Sequence, residues 1–576
     1  MLYGNLILYF TGTVLLCGIP ITNAQLVFKK GAPHVKCESG SFIGSVKTSR
    51  GDLPYYEFLG LRYANLRDRF KPATLNRGEH PDLRENSHLA NHPGPRCPQQ
   101  FGKNTIGEED CLFLNVFIPM RPPPFKDGFP VMVWIHGGAF IFGSGDGYEA
   151  QYFMDEDVIL ITINYRLGAL GFLSTEDNVV PGNLGLKDQV LALKWVQNNI
   201  EFFGGDKKRV TAFGHSAGAA SIHYLLLSPM SKGLFHSAIV QSGAVSNLWA
   251  FTHNPASTAS ELGDLLECKA QDSEALLKCL NGKTIKEITN AQARMKRWYI
   301  DPIAPFGPTV EFYNPNDGST FLSEYPDELI QRREFIKIPL MLGVTPDEGL
   351  SIDAVGVIQS EKLTSQLDSD FETIAPITFN FRNWFPKENL KQIARELRQY
   401  YFGDKPINKE TLKNLTNLYS DANFIYGVWK FALEHATEQP VYPYVMAFQD
   451  ESSFSSTKLF TGLDDKFGVS HGDEIQYLFK SLLFAEEIAR DSEAEKFSKK
   501  LVKLWASFAT HRKPTETWGS SLKWPQISKA QLQGDVPYKW YMLDKDTSIL
   551  ENPFMERKIF WDKLFKKYSK SSKDEL

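Results

Sequence analysis

Gly214-His215-Ser216-Ala217-Gly218 decides how this chain is read, because it stands between a buried-strand pattern and a helical one. Before it, Arg209-Val210-Thr211-Ala212-Phe213 has the apolar character of a short buried strand. After it, Ala217, Ala220, Tyr224 and Leu227 recur at helical spacing. A Gly-x-Ser-x-Gly pentapeptide in that context turns so sharply at the serine that only small neighbours fit. The hydroxyl is left standing proud of the sheet. Ser216 is therefore the candidate nucleophile.

The flanking sequence extends the pattern. Val131–Ile135 and Val158–Asn164 read as continuous apolar strands buried on both faces. The helix after Asn183 carries Leu186, Val190, Leu193, Trp195 and Val196 on one side. Further strands are expected at Ser237–Gln241, Pro339–Gly343, Tyr444–Phe448 and Lys539–Leu543. Alternating strands and helices of this kind call for a mainly parallel α/β sheet. Regions 250–335 and 355–440 are more helical and polar and are expected to cap that sheet. A terminal helix, about Met555 to Tyr568, has Ile559, Phe560, Leu564 and Phe565 as its apolar stripe. Pro122-Pro123-Pro124 marks a surface connection. No linker divides the chain, so residues 25–572 are read as one domain.

A serine hydroxyl needs a base, an orienter for that base, and donors for the oxyanion. His136-Gly137-Gly138-Ala139-Phe140 follows a buried strand and supplies a loop poor in side chains, whose amides can point into a cavity. With these residues the chain resembles the type-B carboxylesterases, the cholinesterase-like family of the α/β-hydrolase fold. The resemblance runs through Glu109-Asp110-Cys111-Leu112-Phe113-Leu114-Asn115-Val116, Asn164-Tyr165-Arg166-Leu167-Gly168 and Pro181-Gly182-Asn183-Leu184-Gly185-Leu186-Lys187-Asp188-Gln189. Phe203-Gly204-Gly205-Asp206 then leads into the elbow. It spans nearly the whole mature chain.

The resemblance implies a large, mainly parallel sheet and a serine esterase that needs no cofactor. Gly343-Val344-Thr345-Pro346-Asp347-Glu348-Gly349 matches the family's acid segment and gives Glu348 the role, with Asp347 its rival by position. Gly468-Val469-Ser470-His471 matches the histidine segment and makes His471 the base. A carboxylate on imidazole Nδ1 fixes the tautomer and stabilises the imidazolium formed during attack. By the same register Gly138, Ala139 and Ala217 donate the oxyanion-hole amides, with Ala139 where many relatives carry a third glycine. Ser242 takes a supporting position near the triad, Trp249 borders the acyl pocket, and Arg69–Glu109 and Arg166–Asp188 form ion pairs. His215 and His223 are read as neighbours in the elbow and its helix.

Within the family, a cholinesterase is disfavoured because residues 98–110 lack the tryptophan that holds a quaternary ammonium. A juvenile-hormone-type esterase shares the His-Gly-Gly-Ala-Phe loop but typically has glutamine where this chain has His215. A neuroligin-like binding protein generally loses triad members, which are kept here. The expected substrate is an apolar xenobiotic or lipid-type ester.

A net charge of −5 gives no reason to expect nucleic acid or an anionic membrane as partner. Residues 1–24 read as a secretory signal, with an apolar run from Leu6 to Cys17 and small side chains at Thr22-Asn23-Ala24. Lys573-Asp574-Glu575-Leu576 reads as a retrieval signal for the KDEL receptor of the endoplasmic reticulum. Together they predict a luminal enzyme with no membrane insertion of the mature chain. Of six cysteines, Cys17 leaves with the signal. Proximity favours Cys97–Cys111 and Cys268–Cys279, leaving Cys37 odd. Asn414-Leu415-Thr416 is the candidate glycan site. No spacing of ligands suggests a metal.

Overall fold

The computed structural model describes residues 26–29, 32–78, 87–312, 318–451, 453–463, 466–481, 487–515 and 522–568. The expected signal at 1–24 and the tetrapeptide at 573–576 lie outside them.

Eleven strands form one mixed sheet. In chain order they are β1 (Ser45–Thr48), β2 (Pro54–Arg62), β3 (Phe113–Pro119), β4 (Phe129–Ile135), β5 (Ile159–Ile163), β6 (Gly205–His215), β7 (Ser237–Gln241), β8 (Leu340–Val344), β9 (Val441–Met446), β10 (Lys539–Leu543) and β11 (Ser548–Glu551). Their order in space is β11-β10-β9-β8-β7-β6-β4-β5-β3-β2-β1. From β5 through β10 neighbouring strands run parallel. The flanking strands pair antiparallel. A four-stranded sheet from Leu26–Lys29, Ala32–Cys37, Gly40–Ile43 and Ser87–Leu89 stands apart.

Both faces of the central strands are buried, and their composition follows from that. Along β4, Val131, Val133 and Ile135 enter one core with residues of α1 (Leu184–Asn199) and α2 (Ala217–Leu227). Met132 and Trp134 enter the other with Leu501, Trp505 and Phe508 of α3 (Glu493–His511). Alternation between two apolar cores produces an unbroken apolar strand. Helices of regions 250–335 and 355–440 lie outside the sheet as expected. The second of these builds a third core around Ile374, Ile393, Leu418 and Trp561.

Several boundaries differ from the sequence expectation. β6 begins at Gly205 because it already pairs with Phe129 there, ahead of the polar Asp206-Lys207-Lys208 that hides its start. β9 begins at Val441, where pairing with Leu340 starts, and ends at Met446. The terminal helix α4 spans Met555–Tyr568, but its buried residues are Trp561, Leu564 and Tyr568. Ile559 is exposed and Phe560 stacks on Tyr400. Trp561 sets the buried face, because its indole N–H reaches Tyr401 Oη (2.8 Å) inside the third core.

Candidate active site

β6 ends at His215 and α2 begins at Ala217, so Ser216 makes the turn alone, at φ 57° and ψ −122°. Such a conformation costs of order 1–3 kcal/mol and persists only where its surroundings enforce it. The enforcement is visible. Ser216 N–H donates to Gln241 O on β7, and Ala220 N–H to Ser216 O, each at 2.9 Å. Gly218 brings the first turn of α2 onto β4; a Cβ there would stand 1.9 Å from Ile135 O.

The loop after β4 is equally constrained. Gly138 has φ +110° and a Cβ on it would lie 2.0 Å from Phe142 O, while Ala139 and Phe140 are both left-handed. His136 is buried, and its Nδ1–H donates to Gly137 O (2.8 Å). Its ring stacks on Tyr165, whose hydroxyl donates to His136 O (2.9 Å). Burial pushes this imidazole down to about 4, so it stays neutral as it braces the loop. Among the described residues, the amides of Gly138, Ala139 and Ala217 have no acceptor within the protein. Free amides on a strained loop and at a helix start are what an oxyanion hole requires.

Glu348 follows β8 and is fully buried. Its Oε2 accepts from His471 Nδ1–H at 2.6 Å. Oε1 accepts from Ser242 Oγ at 2.5 Å and from Thr345 N–H at 2.8 Å. The His471 ring stacks on Phe424 (centroids 4.1 Å) and lies against the tilted ring of His215 (4.3 Å). Burial holds this imidazole well below its usual range, while desolvation raises the Glu348 carboxyl against its hydrogen bonds. The ring is thus neutral near pH 7, with its proton on Nδ1 and a bare Nε2. Asp347 turns away from this group and pairs with Lys413.

The other residues singled out by the sequence each have a definite setting. Trp249 lies near Phe140 (5.9 Å) and Phe424 (6.2 Å), and its indole N–H donates to Asn423 O (2.8 Å). It therefore sits between the oxyanion loop and the ring that packs on His471. His223 lies in the core of α2 against His435, away from the triad. Cys97–Cys111 and Cys268–Cys279 are bridged and Cys37 is a free thiol. Arg69 makes two hydrogen bonds to Glu109, and Arg166 makes three to Asp188, one of them from its backbone N–H. Asn414 donates its amide to Tyr401 O (2.6 Å) from within a helix.

Sequence reasoning missed three elements. Phe424 carries no local signal for its stack on His471. The Thr345 amide is a backbone donor, which composition never reveals. The buried pair Lys187–Glu311 (2.7 Å), with Asn183 bridging to the same carboxylate (2.9 Å), joins α1 to the cap. A cavity of about 270 Å³ is lined among others by Ile141 and Phe142, which follow the oxyanion loop in the chain, and by Leu170, Ile288, Gln292 and Lys296; no triad or oxyanion-hole residue lines it. Among the described residues no cluster of three metal-ligating side chains occurs.

Known proteins resemble this chain over most of its length. The model of the carboxylesterase family matches residues 31–559. The chain is 34% identical to venom carboxylesterase-6 of Apis mellifera over 546 residues, covering 92% of this chain and 94% of that one. It is 35% identical to a juvenile hormone esterase of Tribolium castaneum, over 87% of each. The crystal structure of juvenile hormone esterase from Manduca sexta, with OTFP covalently attached, superposes with a TM-score of 0.79. Identity there is 28%, over 92% of this chain and 99% of that one.

Proposed function

The chain belongs to the carboxylesterase family and is a carboxylic ester hydrolase, and from that premise we propose how it works and on what. Ser216 Oγ attacks the ester carbonyl carbon and passes its proton to His471 Nε2. The oxyanion accepts hydrogen bonds from the amides of Gly138, Ala139 and Ala217. His471 returns the proton to the departing alkoxide, leaving an acyl-enzyme on Ser216. Water then attacks that ester with His471 again as base, releasing the acid. Glu348 keeps the proton of His471 on Nδ1 and balances the imidazolium, while Ser242 keeps Glu348 in place.

The substrate class is an ester with an apolar chain of xenobiotic or lipid type. The observation that supports this is the cavity bordered by Ile141 and Phe142, whose wall combines isoleucine, leucine, phenylalanine and proline with Gln99, Gln100, Thr289, Gln292 and Lys296. Its volume approaches the lower end of small-molecule sites, about 300 Å³. The test is a panel of esters with acyl and alcohol lengths varied separately. A kcat/KM that rises with apolar length supports the reading, and a preference for the shortest esters in both series overturns it.

A second reading, a juvenile-hormone-type esterase, draws support from the Tribolium and Manduca relatives. Including juvenile hormone in the panel separates the two, since a hormone-clearing enzyme should prefer it strongly over simple alkyl esters.

The place of action is the lumen of the endoplasmic reticulum. The apolar run at Leu6–Cys17 and the terminal Lys573-Asp574-Glu575-Leu576 support this. Deleting residues 573–576 should move activity from cells into the medium, and equal retention would remove the proposal. A glycan on Asn414 would have to be attached before its amide bonds to Tyr401 O.

A further inference from the structure

The cavity bordered by Ile141 and Phe142 has a single charged residue in its wall, Lys296. The helix Ile285–Ala293 supplies one side through Ile288, Thr289, Gln292 and Ala293, which share a face at helical spacing. Lys296 follows Gln292 by four residues, just past the helix end. Leu170 and Ile303 add to the apolar wall.

Most of the polar side chains in this wall are already engaged. Gln99 Nε2 donates to Cys97 O and Gly143 O, and its Oε1 accepts from Gly143 N–H. Gln100 Nε2 donates to Asn290 Oδ1, and Thr289 Oγ1 bonds with Thr105 Oγ1 and Ile285 O. Gln292 differs. Ala169 N–H donates to its Oε1 (2.9 Å), which fixes the amide, since only its oxygen can accept. The Nε2 hydrogens then have no acceptor among the described residues. Lys296 likewise forms no ion pair among them. Asp301 feels its charge, but that carboxylate is buried and bonded to Thr378 Oγ1.

The side-chain donors left in the wall are therefore Gln292 Nε2 and Lys296 Nζ. An exposed lysine is ordinarily just solvated, and the C-terminal end of a helix repels an anion. Here, however, the last carbonyls are capped, Ala291 O by Arg294 N–H and Gln292 O by Met295 N–H. A cation and a spare amide suit a carboxylate, which can accept from both. A cavity of roughly 150 Å³ holds a benzene ring, so about 270 Å³ takes a chain of about eight to ten carbons.

We infer that this cavity binds an apolar carboxylate, with its chain along the isoleucine and leucine wall and its carboxylate at Gln292 Nε2 and Lys296 Nζ. No triad or oxyanion-hole residue lines it, so it binds without doing chemistry of its own. Two sources present this ligand chemistry: a free alkanoic acid, and the far end of an ester substrate. The second source rests on the esterase reading above; the first does not.

Calorimetric titration of the full chain with octanoate, octan-1-ol and octylammonium provides the test. It is run with Ser216 free and again with Ser216 carrying a small organophosphate, which fills the oxyanion hole. Octanoate should bind more tightly than the other two, and should still bind the blocked enzyme. Lys296→Met keeps the stem and removes the charge; it should weaken octanoate about 3- to 10-fold and leave octan-1-ol unchanged. Lys296→Arg should restore the affinity. Gln292→Glu keeps an oxygen for Ala169 N–H but replaces the donor with a like charge, and should weaken octanoate at least as much. Octan-1-ol binding reports that each variant keeps its cavity. The inference is overturned if octanoate binds no more tightly than octan-1-ol, or is lost on blocking Ser216. Indifference to both Lys296→Met and Gln292→Glu would overturn it too. The source is read from kcat/KM for p-nitrophenyl hydrogen decanedioate over that for p-nitrophenyl decanoate. A ratio that falls in Lys296→Met assigns the site to the substrate's far end; an unchanged ratio, with octanoate bound, assigns it to the free acid. Binding needs no turnover, so an enzyme inactive on every ester would fail the esterase reading alone.

Discussion

Asp347 and Glu348 are adjacent in the chain, yet their carboxylates serve different partners. Glu348 is buried and bonded to His471 Nδ1 at 2.6 Å, whereas Asp347 pairs with Lys413 at the surface of the cap. Glu348→Gln should keep the fold but present the wrong partner to the imidazole, with a loss in kcat of about 10⁴-fold. Asp347→Asn should stay within tenfold of wild type. Steady-state kinetics on one soluble ester decides between them, and comparable losses in both variants would reassign the acid.

The pH dependence follows from the burial of His471. Only the neutral ring can accept the Ser216 proton. Burial disfavours the imidazolium, so the folded pKa lies below the usual value of about 6.5. Activity is then present above that folded pKa and is lost as pH falls through it. The acid half-point of kcat/KM should accordingly lie below about 6.5. A half-point at pH 7 or above would show that the Glu348 charge outweighs desolvation at this ring.

Sequence revealed the chemistry here better than the packing. The elbow at Ser216 is legible because its glycines answer a steric demand that nothing else satisfies, as the 1.9 Å approach of a Gly218 Cβ to Ile135 O makes plain. The central strands are legible because two apolar cores leave no room for alternation. The start of β6 is not, since its first residues are charged and only pairing with Phe129 makes them strand. The buried face of α4 is also hidden, because both sides of that helix carry large apolar residues. Trp561 is selected over Ile559 by a partner, Tyr401, far away in the chain.

The cap is tied to the sheet by a charge pair that no local pattern announces. Lys187 and Glu311 are both buried and 2.7 Å apart. Lys187→Met removes one charge and leaves the other uncompensated, which should cost about 3–5 kcal/mol of stability. Arg297→Met, which breaks the half-exposed pair with Glu261, should cost less than about 1 kcal/mol. Denaturant unfolding of both variants checks this, and a Lys187 variant as stable as the Arg297 one would contradict the role given to the buried pair.

The central claim is that Ser216 is the nucleophile and forms the acyl-enzyme. The most direct measurement is mass spectrometry of the enzyme after stoichiometric inactivation by an organophosphate, with Ser216→Ala treated alongside. The account predicts one covalent adduct, located on Ser216, that rises in step with loss of activity and is absent from the variant. An adduct on another serine, with Ser216→Ala still hydrolysing esters at the wild-type rate, would contradict it.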